Sequence, residues 1–420
     1  MLLGAIADDL TGATDLALSL TREGMRTIQV VGVPPANFGF GDAEAVVVAL
    51  KSRTIDAREA AAMSVASARV LLDAGAEQLF FKYCSTFDST PAGNIGPVTE
   101  ALLDLLGADF TIACPAFPTN GRTVYRGHLF VGQALLSESP MKDHPLTPMT
   151  DANLVRVLQA QTSAKVGLVG YEAVDAGHDR IAQAFASARR DGIRMAIVDA
   201  VTDRHLRAIG EAAAGLKLVT GGSGVAIGLP ENFRRAGRLA AAEARRFEVL
   251  AGRAVMLAGS CSTATRRQIE AAIREGVPAL KIDPFDIEEG RITAESVADW
   301  AAGAGTTAPL VYSSADPAEV QRAQAALGRE RAGETVEQLL AGVARLLHAR
   351  GFSQFLVAGG ETSGAVVNGL GVSAMLIGPE IDPGVPWTVS VGMEPPVALA
   401  LKSGNFGADD FFLKAWKLLP

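Results

Sequence analysis

Asp8 and Asp9 stand side by side behind the apolar run Leu2–Ala7, and Thr11, Gly12, Thr14 and Asp15 follow closely. Three carboxylates and two hydroxyls at a turn into a helix suit a polar ligand. A helix N-terminus offers free N–H groups and positive partial charge, and a glycine there allows close backbone approach. Thr14 or Asp15 as a plain helix cap is an equal reading for those two residues. Adjacent acids after a buried strand are harder to explain by packing, because buried charge needs a partner. Two further apolar runs end in cations, at Lys51-Ser52-Arg53 and at Lys82, the latter followed by Tyr83-Cys84-Ser85-Thr86-Phe87-Asp88-Ser89-Thr90. Arg53 and Lys82 with the acids read as a site for a small anionic polyol, since arginine grips a carboxylate through paired hydrogen bonds.

The second half supplies a different chemistry. Gly259-Ser260-Cys261-Ser262-Thr263, Gly359-Gly360-Glu361-Thr362-Ser363-Gly364 and Ser403-Gly404-Asn405-Phe406-Gly407 are small polar turns ahead of helical patterns. Such turns bind phosphate through backbone N–H groups, and three in one half point to a nucleotide. Thr220-Gly221-Gly222-Ser223-Gly224 is a similar turn in the first half. No Gly-Lys dipeptide occurs, so there is no Walker A loop. Gly369-Leu370-Gly371-Val372-Ser373-Ala374 has dinucleotide spacing but follows a helical pattern, which discounts it. A phosphatase nucleophile would fall on Ala7, against a covalent phosphoenzyme. The five histidines, His128, His144, His178, His205 and His348, lack metal-ligand spacing, so the metal ligands are unknown.

Elements that position these residues are legible as alternating short apolar runs and longer helical patterns. Leu2–Ala7, Thr27–Val31, Ala45–Leu50, Gln78–Phe81, Phe110–Cys114, Val166–Val169, Met195–Val198 and Leu216–Val219 read as buried strands of a parallel sheet. Helices are expected over Asp15–Glu23, Arg58–Asp73 and Pro97–Leu106. Ala116–Leu146, with a hairpin pattern at Thr123–Val131, reads as an insertion. A second strand series runs through Ala254–Ala258, Ala279–Ile282, Leu310–Ser313 and Phe355–Ala358, with helices at Thr263–Arg274 and Thr335–Arg350. The fold class is therefore α/β, two domains with largely parallel sheets and an active-site cleft expected between them. The expected division is residues 1–235 and 253–420, with a linker helix over about 236–252.

Composition sets limits on the rest. With 49% hydrophobic and 20% charged residues in 420, the chain buries a core and is not disordered. The 38 basic against 46 acidic residues leave −8, against a nucleic-acid partner. The N-terminal run meets Asp8-Asp9 too soon for a signal peptide or membrane span. Three scattered cysteines fit a reducing cytoplasm. The state of assembly stays open, a homodimer included.

The segment Ile6-Ala7-Asp8-Asp9-Leu10-Thr11-Gly12-Ala13-Thr14-Asp15 resembles the N-terminal signature of the four-carbon acid sugar kinases, and Gly359–Gly364 is similar to that family's nucleotide loop. The likeness covers essentially the whole chain. Threonate and erythronate kinases carry Lys-x-Asp-Ser-Thr-x-Arg-Gly-Asn after the fourth strand. Here Cys84-Ser85-Thr86-Phe87 is inserted and Ala92 replaces the arginine before Gly93-Asn94. With Cys114–Arg122, this variant resembles the branch that acts on 3-oxo-tetronate. The resemblance implies ATP-dependent phosphorylation of the C4 hydroxyl of that acid, with Mg²⁺ expected on the phosphates. D-threonate or D-erythronate is the alternative substrate, and a non-enzymatic sugar-acid sensor the alternative class. On this reading Asp9 is the base, Asp8 binds substrate hydroxyls and Asp88 is the rival base. Thr11, Gly12, Asp15, Arg53, Lys82, Ser89, Thr90 and Arg122 surround the sugar acid. Ser260, Ser262, Gly359, Gly360, Glu361, Thr362, Gly404 and Asn405 surround ATP.

Overall fold

A computed structural model describes residues 1–144, 146–240, 251–305, 308–314 and 317–419. The chain divides into two compact units, Met1–Ala244 and Arg245–Pro420.

The first unit is built on β1 (Leu3–Ala7), β2 (Thr27–Val31), β3 (Ala45–Ala49), β4 (Gln78–Lys82) and β5 (Thr111–Cys114). After β5 come a small antiparallel sheet, β6 (Arg122–Tyr125), β7 (His128–Val131) and β8 (Ala134–Leu135), and then β9 (Val166–Val169), β10 (Met195–Val198) and β11 (Leu218–Gly221). The main sheet runs β2-β3-β1-β4-β11-β5-β10-β9, all parallel. Every residue of β1, β3 and β4 is buried, the reason these strands read as unbroken apolar runs. In-register pairing sets Ala7 beside both Ala49 and Lys82, so the three chains leave the sheet at one level. The chain runs from β1 out to β2, returns to β3 beside β1, and then crosses to β4 on the other side of β1, so the order reverses beside β1, where ligands collect in open α/β sheets.

The helix after β1 differs from expectation. It spans Leu10–Arg22, with Asp9 at its N-cap, instead of opening after Thr14. Thr14 does not cap it; its hydroxyl lies against Leu10 O and Gln29 Oε1 inside the core. Thr11, Gly12 and Asp15 therefore project from the first turns of a helix.

In the second unit the strands are β12 (Arg253–Ala258), β13 (Ala279–Lys281), β14 (Leu310–Tyr312), β15 (Phe352–Ala358), β16 (Ala374–Asp382), β17 (Val385–Ser390) and β18 (Ala398–Lys402). Their order is β13-β14-β12-β15-β18-β17-β16, parallel through β18 and antiparallel beyond it. The last three strands were not expected from the sequence. A core of Met256, Leu310, Leu356, Trp387, Ala400 and Phe411 packs on one face. Gly237, at φ 69°, follows the helix Pro230–Arg235, and the described residues 236–240 are not helical. Residues 241–250, which hold most of the expected linker helix, lie outside the described residues. Among the described residues no helix is long and apolar enough to cross a membrane.

Candidate active site

In the first unit, the ends of β1, β3 and β4 gather a compact charge cluster. Asp8 N–H donates to Lys82 O at 3.1 Å and Ser52 N–H to Asp8 O at 3.0 Å, which continues the sheet pairing into the loops. Arg53 then reaches across β1. Its Nε and NH2 donate to the two oxygens of Asp8 at 2.8 Å each, and NH2 also donates to Asp9 Oδ1 at 2.6 Å. NH1 faces Asp88 Oδ2 at 4.0 Å. The Arg53 loop is held from below by Asn94, whose buried amide donates to Ser52 O, Arg53 O and Ile55 O.

The three carboxylates are not equivalent. Burial works to raise Asp9, but Arg53, Lys82, the Thr11 hydroxyl (2.8 Å) and Gly12 N–H together outweigh it and hold its carboxyl down at about 2. At Asp8 burial wins over Arg53, and its pKa rises. Asp88 accepts from Thr86 Oγ1 at 2.6 Å, while its second oxygen meets only the distant Arg53 NH1 among the described residues. Asp15 is pushed up by burial, with Lys82 opposing. Lys82 is buried, yet among the described residues its ammonium makes no hydrogen bond. Gly12 makes room for this group: a Cβ there would fall 2.4 Å from Lys82 Nζ and 2.2 Å from Asp9 Oδ1. The glycine thus accommodates the charge cluster itself, where the sequence suggested ligand approach.

The remaining sugar-site candidates are more dispersed. Ser89 Oγ accepts from Gln161 Nε2 at 2.8 Å, and Thr90 O accepts from Gly93 N–H, closing the turn. Phe87 turns with φ 54° to bring Asp88 back towards Arg53. Arg122 begins β6 and bonds to Asn120 O; no bond links it to Asp8, Asp9 or Arg53 among the described residues. Burial lifts the Cys84 thiol to about 11, which keeps it protonated at neutral pH.

In the second unit β14, β12, β15 and β18 lie side by side, so Ser313-Ser314, Gly259–Ser262, Gly359 and Ser403–Gly407 emerge along one edge. Gly259 N–H donates to Ala358 O and Gly359 N–H to Lys402 O, locking adjacent turns together. The helix Gly360–Leu370 has no side-chain cap, so its first N–H groups stay free for an anion. A Cβ added at Gly360 or Gly364 would meet no atom within 4 Å, which marks open space beside that terminus. Glu361 is exposed in the first turn, and Thr362 is buried beneath it. Gly359, at φ 129°, adopts backbone closed to other residues. Ser262 Oγ accepts from Thr265 N–H and donates to Gly404 O at 2.5 Å; Ser260 Oγ accepts from Ser262 N–H. Asn405 is exposed beside Gly404.

Sequence reasoning missed Thr265, Gln268 and Lys402, which tie this edge together. Gln268 Nε2 donates to the carbonyls of Phe406, Gly407 and Ala408. Lys402 is fully buried, and burial lowers its ammonium to about 7. The missed signal was a lysine closing an apolar run, the same pattern that flagged Lys82. Among the described residues no three His, Cys, Asp or Glu side chains gather in the manner of a metal site.

An acid-and-cation cluster thus lies on one α/β unit, and an uncapped, glycine-bordered helix terminus lies on the other. Comparison with known proteins supplies the family. The sugar-binding N-terminal domain family matches residues 3–229, and the nucleotide-binding C-terminal domain family matches residues 255–412. A 3-oxo-tetronate kinase of Cupriavidus necator is 58% identical, covering 100% of this chain and 97% of that protein. One of Pseudomonas savastanoi pv. phaseolicola is 56% identical, again covering 100% and 97%. A crystal structure from Salmonella typhimurium LT2 superposes with a TM-score of 0.90 at 42% identity, covering 100% and 99% of the two chains. One from Haemophilus influenzae gives 0.84 at 43% identity, covering 99% and 100%. The chain belongs to the family of the 3-oxo-tetronate kinases.

Proposed function

We propose that this protein transfers the γ-phosphoryl group of ATP to the C4 hydroxyl of 3-oxo-tetronate, giving 3-oxo-tetronate 4-phosphate and ADP. The observation that carries the reading is full-length similarity to proteins of that name, joined to a cluster in which two cations keep uncommitted donors. Arg53 NH1 and the Lys82 ammonium are the groups for the substrate carboxylate; the rest of Arg53 is occupied by Asp8 and Asp9. They take the place of the family arginine that Ala92 replaces.

Phosphoryl transfer asks the protein mainly for alignment and for neutralisation of phosphate charge. Asp9, ionised at any working pH, accepts a hydrogen bond from the C4 hydroxyl and orients it. A carboxylate held that low is a weak proton acceptor, so Asp88, with one oxygen nearly free, takes the proton as the bond to phosphorus forms. This moves the base from Asp9, which the sequence favoured, to its rival. Asp8 fixes Arg53, and Thr11 fixes Asp9. The phosphates lie against the free N–H groups at Gly360, Glu361 and Thr362 and at Gly404 and Asn405. A divalent ion carried by the nucleotide would supply neutralisation of the phosphate oxygens.

An NAD-dependent oxidoreductase or a sugar-acid sensor would share much of this architecture, and thermal stability separates them. ATP or ADP at about a hundred times its Kd should stabilise the protein by about 2.7 kcal/mol, read as a rise in Tm, while NAD leaves it unchanged. A response to NAD and none to ATP would overturn the kinase reading.

A further inference from the structure

Lys402 has no place in the chemistry above, yet its surroundings are those of a functional group. It ends β18 and has no exposed surface. Its ammonium donates to Thr265 Oγ1 at 2.9 Å, Ser403 O at 3.1 Å and Gly404 O at 2.8 Å, so all three protons are used. No carboxylate accompanies it among the described residues. Taking an ammonium out of water without a counter-ion is costly, and a methionine of similar length would avoid that cost.

The geometry shows what such an ammonium achieves. In a planar trans peptide the C=O and the following N–H point to opposite sides. With the Ser403 and Gly404 carbonyls drawn onto Lys402 Nζ, the N–H groups of Gly404 and Asn405 must face the other way. Neither of these N–H groups has a protein acceptor among the described residues. Gly404 O is held further by Ser262 Oγ and Thr265 Oγ1, which fixes the peptide from both sides. A Cβ at position 404 would fall 2.6 Å from Ser260 Oγ, so any other residue there would displace the Ser260 hydroxyl. Two adjacent outward N–H groups, held in place by Lys402 Nζ behind them, form a concavity for an anion.

We infer that Lys402 is a positioning residue for nucleotide phosphate: by holding the Ser403 and Gly404 carbonyls it aims the Gly404 and Asn405 N–H groups at the phosphates. The inference rests on the nucleotide reading of this edge. It predicts an effect confined to the phosphates, which a scaffold lysine would not give.

Calorimetric titration of Lys402→Met with ADP and with adenosine tests it, alongside the 3-oxo-tetronate KM. The Kd for ADP should rise about ten- to a hundredfold, the loss expected for one charge-assisted contribution. Adenosine affinity and the sugar-acid KM should stay at wild-type values, and Lys402→Arg should recover part of the ADP affinity. Should Lys402→Met fail to fold, Thr265→Val carries the test, since it removes one acceptor of the ammonium and leaves the amine; its ADP Kd should rise about three- to tenfold. Equal losses for ADP and adenosine, or an unchanged ADP Kd in a variant that folds, would overturn the inference while leaving the nucleotide site in place. Wild-type protein that binds no ADP at all would remove the nucleotide reading, and this inference with it.

Discussion

Arg53→Met is expected to lower kcat/KM for the sugar acid by about a thousandfold and to destabilise the fold by about 3 kcal/mol near pH 7. Arg53 is bonded to both Asp8 and Asp9 and lies near Asp88, so its removal leaves adjacent carboxylates facing each other with only Lys82 to balance them. Losing one member of a largely buried ion cluster costs far more than losing a surface pair. The catalytic loss combines a lost carboxylate ligand with misplaced acids. The pH dependence has a definite sign. Asp9 is held at about 2 against an ordinary 3.8, so its contribution is complete above 3.8 and disappears as pH falls towards 2. Denaturant titrations should therefore show the stability gap between wild type and variant narrowing as pH drops from about 4. A gap of constant size across that window would mean that Arg53 does not hold Asp9 ionised.

Asp88→Asn is the second large effect. Its kcat should fall by about 10²–10⁴-fold, the range for a positioned acid–base group, with both KM values nearly unchanged. Asp9→Asn should act differently. Asp9 borders Arg53 and Lys82, so its neutralisation alters the field around the substrate carboxylate and should change the sugar-acid KM together with kcat. Steady-state kinetics on the two variants decides between them. A near-wild-type kcat for Asp88→Asn with a collapse for Asp9→Asn would return the base to Asp9.

Why Asp8, Asp9, Arg53 and Lys82 were legible is a matter of strand burial. Each follows a run of residues that are buried on both sides of a parallel sheet, and parallel strands deliver their ends to one edge. The helix start was misread because Thr11, Gly12, Thr14 and Asp15 carry the composition of a loop. Thr14 is in fact satisfied by Gln29, fifteen residues away, which no local pattern reveals. Gly12 looked like a ligand contact, yet the side chains that need its space come from Asp9 and Lys82. The clamp from Asn94 onto the Arg53 loop likewise spans about forty residues. In the second unit the run Ala398–Leu401 is short and follows Pro395-Pro396, and Gly378-Pro379 interrupts β16, so those strands lacked the usual signature. Missing β18 meant missing Lys402.

Coupled ADP release, measured with ATP and each of 3-oxo-tetronate, D-threonate and D-erythronate, tests the central claim most directly. The inserted Cys84–Phe87 loop and Ala92 predict turnover of 3-oxo-tetronate with kcat/KM well above that for either reduced acid, and a product phosphorylated at C4. Turnover of D-threonate or D-erythronate equal to or faster than that of 3-oxo-tetronate would contradict the substrate assignment, and no ADP release with any of the three would contradict the kinase itself.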